Sequence, residues 1–130
     1  MTQRPIVLEL PASSAYLTLA RAATSAVCAR LGYTVDRIDD MSLAVSEAMA
    51  LLLRDAAAGA RIQISLTPWT TGGLIGVDAD LSVRSSSGRP PRPTSFSWTV
   101  LASLVNNVAA EIVDDTVTLQ LRSRHEAVTS

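Results

Sequence analysis

The 130-residue chain has one cysteine, one histidine and no lysine; all 11 of its basic residues are arginine. A lone Cys28 excludes an internal disulfide, and with His125 as the only imidazole no Cys/His metal cluster can be assembled. Aromatic residues make up 4% against 48% hydrophobic overall, so the core must be aliphatic, built from Ala, Val, Leu and Ile. The formal net charge of −1 leaves no global electrostatic basis for a direct nucleic-acid partner. No run approaches the roughly 18–20 apolar residues that span a bilayer. Pro5 and Glu9 interrupt "MTQRPIVLEL" before a secretory core forms. These absences predict a soluble cytoplasmic protein with no membrane partner, folded as a single domain over 1–130.

What is present is periodic. "PIVLEL" alternates and ends at Pro11, which suits a strand at a sheet edge or dimer contact. A first helix follows over "PASSAYLTLARAATSAVCARLG", with Ser13 or Ser14 as cap and Gly32 as the left-handed stop. Tyr16, Ala20, Ala23, Val27 and Leu31 form its apolar stripe, with Arg21 and Arg30 outside it and Cys28 as a small buried hydrophobe. The second helix runs from a Thr34 cap, through early Asp36, Asp39 and Asp40, to Gly59. Ile38, Met41, Val45, Ala48 and Leu52 make its buried face; Glu47, Leu51, Arg54 and Asp55 make the neighbouring one.

"ARIQISLTPW", "TTGG" and "LIGVDADLSV" read as a strand ending near Pro68, a turn and a second strand. Residues 84–94, "RSSSGRPPRPT", hold three serines and three prolines and read as a loop. A third helix is expected over "SFSWTVLASLVNNVAAEI", capped by Ser95, with Trp98, Leu101, Val105 and Val108 as its buried row. Asp114 and Asp115 then look like turn residues before a last strand carrying Val117, Leu119 and Leu121, and 123–130 are expected to be a flexible tail. The order strand, helix, helix, strand, strand, helix, strand predicts a two-layer α+β sandwich. Its sheet would be mixed, mostly antiparallel, and covered on one face by about three helices.

In this order the residues resemble a family. "LELPASSAYLTLARAATSAVCARLGYTVDRIDDMSLAVSEAM" looks like the front half of RsbW-type anti-sigma factors of the GHKL, histidine-kinase-like ATPase superfamily, and "TSFSWTVLASLVNNV" resembles the penultimate helix of their actinobacterial branch. The resemblance runs over roughly residues 5–122. It implies the Bergerat-like sandwich, sequestration of a sigma factor, and release by an anti-anti-sigma (STAS) antagonist. In many members it also implies Mg-ATP binding and phosphorylation of a serine on that antagonist.

Carried over position by position, the family's ATP motifs are altered. In E-x-x-x-N, Glu47 matches the catalytic base, but Leu51 stands where an Asn would give magnesium an oxygen. That ion needs oxygen ligands at about 2.1 Å, and an isobutyl group offers none. Asp55 occupies a position that is usually basic or His. For D-x-G-x-G the best match is "DLSVR": Asp80, or Asp78 in a shifted register, would read adenine, while Ser82 and Arg84 replace glycines whose backbones approach the nucleotide. The Gly-rich helix entry is "PTSFSWTVL", with no glycine nearer than Gly88, and 84–94 fall at the ATP-lid position. Three alterations together argue for loss of ordinary ATP chemistry, so no cofactor is expected and ATP/Mg would bind weakly.

Glu47 is then either a residual base or a surface carboxylate near Arg54 or Arg21. Arg21 matches the position at which the family's first helix contacts the sigma factor and its antagonist competitively. A nucleophilic triad is discounted because His125 falls in the expected tail, and "RPPRP" reads as a mobile loop before it reads as a polyproline ligand. The reading is an anti-sigma factor for an alternative (stress or sporulation-type) sigma factor, acting as a homodimer with its first strand and first helix near the contact. An active serine protein kinase and a stand-alone ligand-sensing domain are the alternatives.

Overall fold

A computed structural model describes residues 3–128. In chain order it contains β1 (Ile6–Pro11), α1 (Leu17–Leu31), α2 (Val35–Leu53), β2 (Arg61–Thr71), β3 (Leu74–Arg84), α3 (Phe96–Leu104), β4 (Asn107–Val113) and β5 (Thr116–Glu126). The strands form one sheet in the order β1-β2-β3-β5-β4, with every neighbouring pair antiparallel. The expected α+β sandwich is borne out. The sheet, however, is antiparallel throughout, not mixed.

Local chemistry sets the ends of the elements. Thr34 accepts from the Arg37 amide at 3.4 Å and Ser95 from the Trp98 amide at 3.2 Å, satisfying first-turn donors of α2 and α3. Ser13 caps a short 3-10 turn, Ser14–Tyr16, that leads into α1. Gly32 ends α1 at φ 98, a left-handed conformation that costs glycine no Cβ clash. The β2–β3 hairpin turns on Gly72 and Gly73, both at positive φ, the geometry that matches the twist of the flanking strands. Asp114 and Asp115, also at positive φ, close the β4–β5 hairpin and are turn residues as expected. Pro68 does not end β2. Its carbonyl accepts from the Gln3 amide at 3.0 Å, so its missing N–H faces the β1 side and costs β3 no hydrogen bond.

Three further expectations are corrected. The third helix stops at Leu104, and Asn107–Val113 form edge strand β4, pairing Val108, Ala110 and Ile112 with Leu121, Leu119 and Val117. Residues 123–126 are not tail but the end of β5, paired with Leu74–Val77 of β3; residues 129 and 130 lie outside the described residues. The second helix also ends earlier than Gly59, at Leu53, and Gly59 sits at φ +70 in the turn before β2.

The core lies between the helices and one sheet face. α2 contributes Met41, Val45, Ala48, Met49 and Leu52, set against Ile62, Ile64 and Leu66 of β2, Val77 and Leu81 of β3, and Leu119 and Leu121 of β5, all at most 3% exposed. Burying each such large side chain contributes about 1.5–3 kcal/mol, which dominates over the surface pairs. The Arg61–Glu9 bridge, for example, is more than half exposed on both sides and contributes about 0–1 kcal/mol. In α1 the buried line is Ala20, Thr24 and Cys28, with Ala23, Val27 and Leu31 partly covered. Tyr16, expected in that stripe, lies in the 3-10 turn and is 36% exposed.

Candidate functional site

A cavity of about 230 Å³ opens where α2 ends, bounded by the last turn of β3 and the loop between β3 and α3. Leu51 and Leu52 of α2, Val83 of β3 and Val117 of β5 give it an aliphatic floor. Arg54, Arg89 and Arg92 stand at its mouth, with Pro90 and Pro91 as one wall.

The loop is tied down by Asp55, one residue beyond the Arg54 cap of α2. Its Oδ2 accepts from Ser85 Oγ at 2.6 Å, from Ser87 Oγ, and from the Ser87 amide at 3.4 Å. Ser85 Oγ in turn accepts from the Gly88 amide at 3.0 Å, and the Ser86 amide donates to the Asp55 carbonyl at 2.7 Å. The Ser85 and Ser87 hydroxyls, with a smaller contribution from Arg89, hold the Asp55 carboxyl below its ordinary value. Asp55 is therefore a loop clamp. The sequence pointed only to its charge, and nothing local in "RSSSGR" says that these serines turn back onto a residue thirty positions earlier.

The structure unites only part of the motif set. Glu47 and Leu51 lie one turn apart on α2, Glu47 half-buried and Leu51 9% exposed in the cavity floor. Asp80 and Ser82 are on the opposite sheet face, since β3 directs Ala79, Leu81 and Val83 toward the helices. There Asp80 accepts from Arg122 at 2.7 Å, and Ser82 pairs with Thr118 at 2.7 Å. Asp78, the alternative register, accepts from Trp69 Nε1 at 3.2 Å on that same outer face. Neither Asp80 nor Asp78 can share a ligand with Leu51 across the sheet, so the D-x-G-x-G-like residues do not fit a nucleotide held against α2. Glu47 has no ion pair within 4.0 Å with Arg54 or Arg21 among the described residues.

Arg21 is exposed on α1, one turn before Ser25, whose hydroxyl pairs with Ser42 of α2 at 2.7 Å. It thus sits on the α2 flank of α1 with its charge unpaired among the described residues. His125 is held, not frayed. Its ring packs edge-on against Tyr33 at 5.0 Å, and Nε2 lies 3.3 Å from Ser123 Oγ. Ser123 is only 2% exposed and is paired with the Tyr33 hydroxyl at 2.7 Å, so this pair offers no accessible nucleophile. Burial pushes Tyr33 and the Cys28 thiol each up to about 12, which leaves Cys28 an inert core group.

With this geometry established, similarity to known proteins becomes informative. No family model matches the chain. Serine-protein kinase RsbW of Listeria monocytogenes (strain HCC23) is 37% identical over 54 residues, covering 42% of this chain and 34% of the relative. Its counterpart in Listeria innocua (strain CLIP 11262) matches to the same extent. The chain therefore spans about a third of the length of these relatives. Among solved structures, that of the RsbU and RsbW domains of Rv1364c from Mycobacterium tuberculosis superposes with a TM-score of 0.71 at 19% identity, covering 98% of this chain and 35% of that one. The RsbW-type resemblance read from the residues is thus found in both sequence and fold. Among the described residues, no helix is long and apolar enough to cross a membrane.

Proposed function

We propose that this chain is an anti-sigma factor of RsbW type. It binds an alternative, stress or sporulation-type sigma factor in the cytoplasm and yields it to a STAS anti-anti-sigma protein, acting as a homodimer and without efficient ATP-dependent phosphorylation. The observation that carries this reading is Leu51: the fold is kept along its whole length, yet the side chain at the metal-ligand position is part of an aliphatic floor. Leu51 itself offers magnesium no oxygen, so ATP would bind weakly and no cofactor is required.

Binding requires no chemistry, only a face. Arg21 supplies an exposed guanidinium, without an ion pair among the described residues, beside the α1–α2 contact, and such a group contributes about 2 kcal/mol or more once desolvated against a partner carboxylate. The test is a pull-down with the full chain, using the sigma factors of its own genome as prey. Capture of one sigma factor, lost on Arg21→Glu and competed by a STAS protein, supports the reading. Failure to capture any sigma factor or STAS protein overturns it.

The second reading is an active serine kinase. It is favoured by the name of the Listeria relatives and by Glu47, which keeps its place one turn before Leu51. Phosphoserine on a STAS protein after incubation with Mg-ATP would establish it.

A further inference from the structure

The cavity at the end of α2 combines two features that a purely structural void would not need. Its floor is aliphatic, and its mouth carries Arg54, Arg89 and Arg92, none of which has an ion pair within 4.0 Å among the described residues. Asp55, the carboxylate in its lining, is already engaged by the Ser85 and Ser87 hydroxyls. Those neutral hydroxyls leave the carboxylate its charge, which offsets part of the rim, that of Arg89 above all; three arginines against one aspartate keep the mouth net positive while the interior is apolar. At about 230 Å³ the space lies below the roughly 300–1,000 Å³ of pockets that enclose drug-sized ligands.

We propose that this cavity binds a compact amphipathic anion: a carboxylate with a short aliphatic body that fills the floor while its headgroup meets the arginines. Guanidinium forks suit a carboxylate's two oxygens, and Pro90 and Pro91 stiffen the segment that carries Arg89 and Arg92. The alkyl body accounts for Leu51 and Val83, and the headgroup for the rim. Because the loop closes one side, occupancy couples to the Asp55–Ser85 clamp. The proposal does not depend on sigma-factor binding, and failure of either leaves the other standing.

The test is calorimetric titration of the full chain with sodium octanoate below its micellar concentration, beside 1-octanol, sodium acetate and Mg-ATP. Saturable one-to-one binding of octanoate is expected, tighter than 1-octanol by about tenfold, the margin of one charge-assisted hydrogen bond. Acetate should not bind measurably. The double variant Arg89→Gln/Arg92→Gln should remove the octanoate margin and leave octanol unchanged, while Leu51→Asn should weaken both. Equal binding of octanoate and octanol, acetate as effective as octanoate, or octanoate affinity untouched by the arginine pair would each overturn the proposal. So would displacement of octanoate by Mg-ATP at lower concentration, since the cavity would then be a nucleotide site.

Discussion

Ser85 Oγ donates to the Asp55 carboxylate at 2.6 Å, joining the end of α2 to the start of a loop thirty residues later. The clamp is also a pH device. The folded Asp55 carboxyl sits below its ordinary 3.8, so its contribution is in place above that value and is lost as pH falls from there through the depressed one. Asp55→Asn should therefore speed amide exchange at Ser87 and Gly88 at neutral pH while leaving the β2–β3 ladder protected. Unchanged exchange at those two amides would remove the clamp's role.

His125 titrates in the same sense but at higher pH. Burial, with Arg37 nearby and only partly offset by Asp40, lowers it from 6.5. The folded state thus resists protonation, so stability is complete above 6.5 and falls as pH drops through the depressed value. His125→Phe keeps a ring against Tyr33 and should flatten the decline in urea midpoint between about pH 7 and 5.

Trp69 lies across Gly76 on the outer sheet face. A Cβ at Gly76 would come within 2.2 Å of the indole and 2.5 Å of the Ser123 carbonyl. Gly76→Ala should cost about 1–3 kcal/mol by denaturant unfolding, as overpacking does. Trp69→Leu in the same chain should recover only part, because the backbone clash remains.

Leu101 is the fully buried side chain of α3. Leu101→Ala should cost about 2–5 kcal/mol, the range for a cavity left in a close-packed core. A loss under about 1 kcal/mol would mean that α3 is not anchored there.

Much of this fold is legible in local chemistry. The caps at Thr34 and Ser95, the stop at Gly32 and the Gly72–Gly73 turn are all settled by residues that touch their own neighbours. What was not legible depended on distant partners. In "NNVAAEIV" the alanines favour a helix and mask the alternation of Val108, Ala110 and Ile112; pairing with β5 decides for strand. Ser123 and His125 break the apolar pattern of β5, and only Tyr33, ninety residues before Ser123, explains why Ser123 is buried and His125 half-buried beside it. The candidate site divides the same way. Leu51 could be placed from helix spacing, whereas Asp80 and Ser82 could be assigned a face only once the β3 register was known. The Asp55 clamp joins positions that no periodicity links.

The most direct measurement of the central claim is a phosphotransfer assay on the purified chain with Mg-ATP, a STAS antagonist and the captured sigma factor. The expected result is no phosphoserine on the antagonist and a sigma-factor complex whose affinity is the same with and without ATP. Phosphoserine accumulating on the antagonist, with its ability to displace the sigma factor lost as it does so, would contradict it.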